Sequence, residues 1–132
     1  MNINQIKFSL HFLDSIKGRK LPVNLSLSIL ENANKLATAY QEYNKKASDI
    51  INEYAKKDAD GNVSVEEEGD NKSIELDEKR KEEGAKKLLE IQNINIKFSK
   101  ISIDDLRIVD SDQRYDTFTP QDIINFGFML DQ

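Results

Sequence analysis

The stretch ILENANKLATAYQEYNKKASDIINEY, residues 29–54, decides the architecture. Ile29, Ala33, Leu36, Tyr40, Tyr43, Ala47, Ile50 and Tyr54 follow one another in unbroken steps of four and three, the spacing of one helical face. Leu30, Ala37 and Ile51 widen this apolar stripe, while Glu31, Asn34, Lys35, Gln41, Glu42, Lys45 and Lys46 take the outward positions. Steps averaging 3.5 residues also suit a helix that supercoils with a partner. Pro22 fits the start, since its fixed φ suits a first turn. A helix from about Val23 to Lys57 would be roughly 50 Å long at 1.5 Å per residue, too long to be covered by a compact core of this size. It therefore needs a partner.

The nearest one in the chain is Ser73 to Asn93, where Ser73 is placed to cap and Ile74, Leu76, Ala85, Leu88, Leu89 and Ile91 supply apolar surface. Glu75 with Lys79, Asp77 with Lys81, Glu82 with Lys86 and Glu83 with Lys87 add helix-favouring i, i+4 pairs. Asp77 to Gly84 contains no apolar residue, so the second helix should pack weakly at its middle unless Lys and Arg stems cover the tyrosines, and the hairpin should be tightest where Leu88 to Ile91 meet Leu30 to Leu36.

Outward from this hairpin, residues 1–21 read as a strand, Asn2 to Lys7, followed by Phe8 to Ile16. Leu10, Leu13 and Ile16 favour a short helix there, with a continuing strand as the alternative. Ile94, Ile96 and Phe98 alternate with polar residues, and Ile101 and Ile103 resume one residue out of phase, a strand with a bulge near Ser99 and Lys100. Paired with the N-terminal strand, it predicts a small antiparallel sheet covered by the helices. Thr119, Pro120 and Asp122 start a final short helix carrying Ile123, Ile124, Phe126, Phe128, Met129 and Leu130. The expected fold is thus α+β in a single domain, 1–132: strand plus short helix in 1–21, a helical hairpin in 22–93 with a tip at 58–71, and strand, loop and helix in 94–132.

Composition narrows the function classes. There is no Cys, so no disulfide or zinc knuckle forms and a reducing compartment such as the cytosol suits the chain. No signal-peptide pattern is read at Met1 to Leu13, and no apolar run approaches the ~20 residues of a membrane span. A net charge of −5, from 24 acids against 19 bases, opposes nucleic-acid binding; Lys17, Arg19 and Lys20 read as a solvated turn. His11 is the only histidine, which excludes a multi-His metal site or a His-based triad within one chain.

Two acidic constellations and one aromatic one remain. Asp58, Asp60 and Asn62 occupy positions one, three and five of an EF-hand-like loop, but Val63 replaces the glycine at six and Gly69 the glutamate at twelve, with Glu68 out of register. A turn that ends the helix is the better reading, in a tip that is mobile or a tiny β-hairpin. Asp104, Asp105, Asp110, Asp112 and Asp116 could suggest magnesium, yet lie in what reads as an irregular connection with Arg107 and Arg114 interspersed. Tyr40, Tyr43 and Tyr54 face a helix poor in apolar residues, which makes them the candidate partner-binding surface, with a core stripe facing the long stems of that helix as the alternative. No catalytic residue and no cofactor is expected.

Several motifs in order carry a resemblance: Lys-Leu-Pro at 20–22, a long Lys/Glu-rich helix, Asp-Ala-Asp-Gly-Asn-Val at 58–63, Ile-Ser-Ile-Asp-Asp-Leu at 101–106 and a Thr-Pro-initiated last helix. Spanning nearly the whole chain, this layout resembles a family of small tailed-phage proteins of unknown function. The resemblance implies phage origin and expression in the host cytoplasm, and supplies no active site to carry over. The expected function is non-enzymatic binding of a host or viral protein through the hairpin, with virion assembly or self-association as the alternative.

Overall fold

The computed structural model describes residues 1–54, 65–68, 71–74 and 81–131, the two short stretches 65–68 and 71–74 through their backbone only. The chain divides into two compact units, Met1–Tyr40 with Asn95–Gln132, and Gln41–Ile94.

In the first unit, helix α1 spans Ile3–Ile16 and helix α2 begins at Val23. The expected N-terminal strand is instead the first half of α1. The Asn2 side chain accepts from the Gln5 N–H at 2.9 Å while the Asn2 N–H donates to Gln5 Oε1 at 2.8 Å, a reciprocal cap that satisfies amide groups a helix start leaves open. From there Ile6, Ser9, Phe12, Leu13 and Ile16 form the buried face. Lys7 Nζ lies 5.8 Å from the Tyr40 ring centroid, near the α1 start, whereas Lys17, just past its end, shares a groove with Ser26. The helical hairpin of this unit is therefore α1 with the N-terminal part of α2.

The second expected strand is also absent as a ladder. Asn93 to Lys100 runs without turn or bend, and Ile94, Ile96 and Phe98 are half-buried between exposed Asn95 and Lys97, so the alternation tracks which side chains are half-buried. Among the described residues no neighbouring strand pairs with it along that length. Two of its carbonyls and one amide are instead bonded by α2: Asn32 Nδ2 donates to Ser99 O and the Ser99 N–H donates to Asn32 Oδ1, both at 2.8 Å, and Lys35 Nζ donates to Lys97 O at 2.7 Å. A single parallel bridge joins Ile101 to Leu130. The α+β expectation with a sheet of the two chain ends is thus overturned, because side chains of a helix satisfy the extended segment in place of a second strand. The fold described is helical.

The segment expected to be an irregular acidic connection holds helix α4, Ile103–Ser111. Ser102 and Asp105 make a second reciprocal cap, and Leu106 and Val109 face the core. Helix α5, Pro120–Asn125, starts at the expected Thr119 cap with Pro120 in its first turn and runs into a 3-10 turn at Phe126–Met129. Phe126 is fully buried at the centre, its ring edge-on to Phe12 at 4.9 Å and to Phe118 at 5.0 Å.

α2 is one continuous helix, Val23–Tyr54, whose C-terminal part belongs to the second unit. That unit also contains strands β1, Val65–Glu68, and β2, Asn71–Ile74, paired antiparallel, and helix α3, Lys81–Glu90. Ser73 and Ile74, expected to open the second helix, lie in β2. The packing residue of α3 is Gly84, the only buried residue of that helix, set against Tyr54. Leu89 is exposed, as is Leu30 in the first unit, so neither side chain is buried at the tight base that the sequence suggested.

Candidate functional site

Within α2 the buried line of the first unit is Leu25, Ile29, Asn32, Leu36 and Ala39. Counting apolar residues only replaces Asn32 by Ala33 and Ala39 by Tyr40, a neighbouring line on the same helix. The shift leaves another apolar ridge uncovered: Val23, Leu27 and Leu30 are 72 %, 58 % and 59 % exposed at i, i+4 and i+7. Beside it lies an open groove of about 490 Å³ between α1 and α2, lined by Leu10, Leu13, Ile29, Leu30, Ala33 and Ala37. The alanines keep its floor low and leave room for a side chain from outside. Large exposed apolar side chains gathered along a groove are the surface signature of a binding site, unlike isolated ones.

The charges at the groove's end are already committed. Lys17 pairs with Asp14 at 2.8 Å, and Arg19 Nη1 donates to Asp122 Oδ2 at 2.9 Å. The Lys20 N–H donates to Asp116 Oδ2 at 2.7 Å and the Asp116 N–H returns to Lys20 O at 2.9 Å. Arg19 and the Lys20 backbone thus clasp the 17–22 connection to α5 and to the loop before it, while Lys17 pairs back onto α1. Burial pushes the Asp122 carboxyl up, but the Thr119 backbone N–H and the Arg19 guanidinium outweigh it and hold the group below its ordinary value.

A depressed carboxylate contributes stability that is present above the unfolded value, about 3.9, and is lost as the pH falls through the folded one. Arg19→Met is therefore expected to lower stability by ~1–2 kcal/mol at neutral pH. In urea unfolding the gap between variant and parent should narrow below about pH 4. A gap that stays constant to pH 2 would reject the ion pair as its source.

The remaining acids of the 104–116 group are dispersed. Asp104 pairs with Arg107 at 3.2 Å, Asp105 caps Ser102, Asp110 is exposed, and Asp112 holds Arg114 at 2.7 Å. The Arg114 side chain, then its backbone N–H, bring the Asp112 carboxyl down to about 2. Among the described residues no three His, Cys, Asp or Glu side chains converge as metal ligands. Asp58, Asp60 and Asn62 lie outside the described residues. His11 is exposed on α1.

The three tyrosines are divided between the two units. Tyr40 belongs to the first unit, half-buried beneath Lys7. Tyr43 is half-buried in the second unit, and Tyr54 there is only 2 % exposed, against Gly84. Lys87 Nζ stands 5.9 Å from the Tyr54 centroid, and the Tyr54 oxygen, then Glu53, raise the Lys87 ammonium above its usual range. The Gly84 backbone and the Lys87 ammonium thus both lie against Tyr54.

A second, more open cleft of about 650 Å³ lies in the first unit where Phe8, Phe98, Ile124 and Phe128 meet, bordered by Asn2, Gln5 and Asn125. Phe98 and Phe128 meet edge-on at 4.9 Å. Val23, Leu27 and Leu30 were legible as a second line of four and three; Asn32 was not, because an amide in a stripe reads as an interruption. The chain matches no protein-family model, no curated protein and no solved structure.

Proposed function

We propose that this chain is a non-catalytic interaction protein that receives an amphipathic helix of a host or viral protein in the α1–α2 groove. The observation that carries this reading is the exposed ridge of Val23, Leu27 and Leu30 beside a low-floored apolar groove. Helix-in-groove recognition uses anchors at this spacing, and two apolar side chains seated in such a groove supply about 1.5–3 kcal/mol each. The surface replaces the tyrosine stripe, whose Tyr54 is core.

The resemblance to tailed-phage proteins makes host-cell and infected-cell lysates the natural source of the partner, with the host cytoplasm as the compartment. Leu27→Lys with Leu30→Lys is expected to reduce capture of the partner at least tenfold while leaving the circular dichroism and melting curve unchanged, since both side chains face solvent. Tyr40→Ala should have a smaller effect. If no captured protein depends on Leu27 and Leu30, the groove is not the binding surface.

One observation favours self-association as the second reading. Val23, Leu27, Leu30, Asn34 and Ala37 continue the four-and-three spacing of a coiled-coil seam, and a polar Asn within such a seam fixes register between chains. A strict monomer in light scattering at micromolar concentration removes that reading and leaves the first intact.

A further inference from the structure

Among the described residues, the segment 95–100 is bonded along one edge and unbonded along the other. In extended chain, the N–H and C=O of one residue point to the same edge, and those of the next residue to the other. Lys97, Ser99 and Ile101 share the first edge. Lys97 O is bonded by Lys35, both Ser99 groups by Asn32, the Ile101 N–H by Met129 O at 2.9 Å, and Ile101 O by the Asp131 N–H at 2.8 Å. Ile96, Phe98 and Lys100 belong to the opposite edge. Among the described residues none bonds their backbone N–H or C=O groups. Such a row of unpaired groups is a template for another strand.

Chemistry around the edge narrows what would add there. Lys97 and Lys100 are both exposed, so the segment presents positive charge to an incoming chain. Lys100 Nζ reaches Phe128 O at 3.3 Å, at the aromatic cleft that Phe98 and Phe8 also line. Successive side chains of extended chain point to opposite faces, so Lys97 lies on one face and Phe98 and Lys100 on the other. A strand alternating acidic and apolar residues matches this, with carboxylates on the Lys97 face and apolar side chains on the Phe98 face, toward the cleft.

We propose that the open edge of Ile96, Phe98 and Lys100 accepts an extended acidic-apolar peptide of a partner protein by strand addition. The site is separate from the α1–α2 groove and does not depend on what that groove takes. Main-chain bonds supply the attraction and Lys97 selects for acidic strands.

The probe is an acetylated, amidated peptide of alternating Glu and Val, eight residues long, titrated into the isotope-labelled full chain. Amide exchange at Ile96, Phe98 and Lys100 is expected to slow at least tenfold at saturation, with the Ser99 amide, already bonded, changed much less. Lys100→Pro removes one N–H from the open edge and restricts Ser99 to the extended backbone it already has. It should weaken binding at least tenfold, whereas Lys100→Ala, which keeps the N–H, should weaken it no more than two- to threefold. The two variants share the loss of the lysine charge, so their difference reads the backbone bond. Shifts confined to Phe8, Phe98 and Phe128 without slowed amides, equal affinities for the two variants, or no binding at millimolar peptide would each overturn the proposal.

Discussion

Asn32→Ala is expected to destabilise the first unit by ~2–4 kcal/mol, although the substitution puts the best helix former into a helix. The Asn32 side chain is fully buried, and its amide closes a two-bond ring with Ser99 in the manner of a neighbouring strand. Truncation leaves the Ser99 N–H without its acceptor and the carbonyl without its donor, and each unmet group costs about 1–3 kcal/mol where water is excluded. Helix propensity returns less than 1 kcal/mol. Asn32→Asp is the informative companion, since it keeps the acceptor for the Ser99 N–H but sets a buried carboxylate against the Ser99 carbonyl. It should be at least as destabilising at neutral pH and should recover in part in mild acid, as the carboxyl protonates and regains a donor. Chemical denaturation of the three proteins measures this, and an Asn32→Ala variant within 0.5 kcal/mol of the parent, a difference typical of neutral surface changes, would show that the ring is dispensable.

Gly84→Leu should cost the second unit about 2–3 kcal/mol. A Cβ at residue 84 would already stand 3.2 Å from both Cβ and Cγ of Tyr54, so the rest of a leucine has no room unless the ring moves. Tyr54 is held by its own burial and by Lys87 across its face. Gly84→Ala is the calibrating variant, because its helix-propensity gain of about 1 kcal/mol opposes a contact that a few tenths of an ångström would relieve. Thermal melts followed by tyrosine fluorescence should show a large loss for Leu and a small change of either sign for Ala. If Leu is tolerated as well as Ala, Tyr54 does not rest on Gly84 in solution.

These residues also mark where the fold could and could not be read from the sequence. The long α2 helix was legible because its period persists for many turns, and Thr119-Pro120 marked α5 because a cap followed by proline has one natural use. Caps elsewhere were present but overlooked: Asn2 with Gln5 opens α1 and Ser102 with Asp105 opens α4, each at the i, i+3 spacing that satisfies free amides at a helix start. The Asp-rich stretch before Tyr115 looked like loop because Asp favours turns, yet Asp104 and Asp105 sit where a helix dipole welcomes negative charge.

Alternation in 94–98 tracks which side chains are half-buried, but no strand forms there among the described residues. A strand implies another strand unless some side chain can imitate one, and Asn32 does so with its own donor and acceptor. The candidate site was half legible. Leu30 was counted into the stripe as core because apolar residues at helical spacing cannot say which of two adjacent lines faces inward. Only the buried amide resolves that, by turning the helix so that Ala33 and Leu30 border a groove and Val23 and Leu27 meet solvent.

The clasp of Arg19 on Asp122 and Lys20 on Asp116 bears on the order of folding. These bonds join residues 103 and 96 positions apart, and the unit they close is built from both ends of the chain with Gln41–Ile94 inserted between. A nascent chain emerging from its N-terminus can close the inserted unit while the outer one still lacks α4, α5 and the Phe126 centre. Contacts of such long range form late and slow the folding of the unit that depends on them. The unit carrying both proposed binding surfaces is consequently the last to be completed, and until residue 131 has been made, the apolar sides of α1 and α2 stand without their cover.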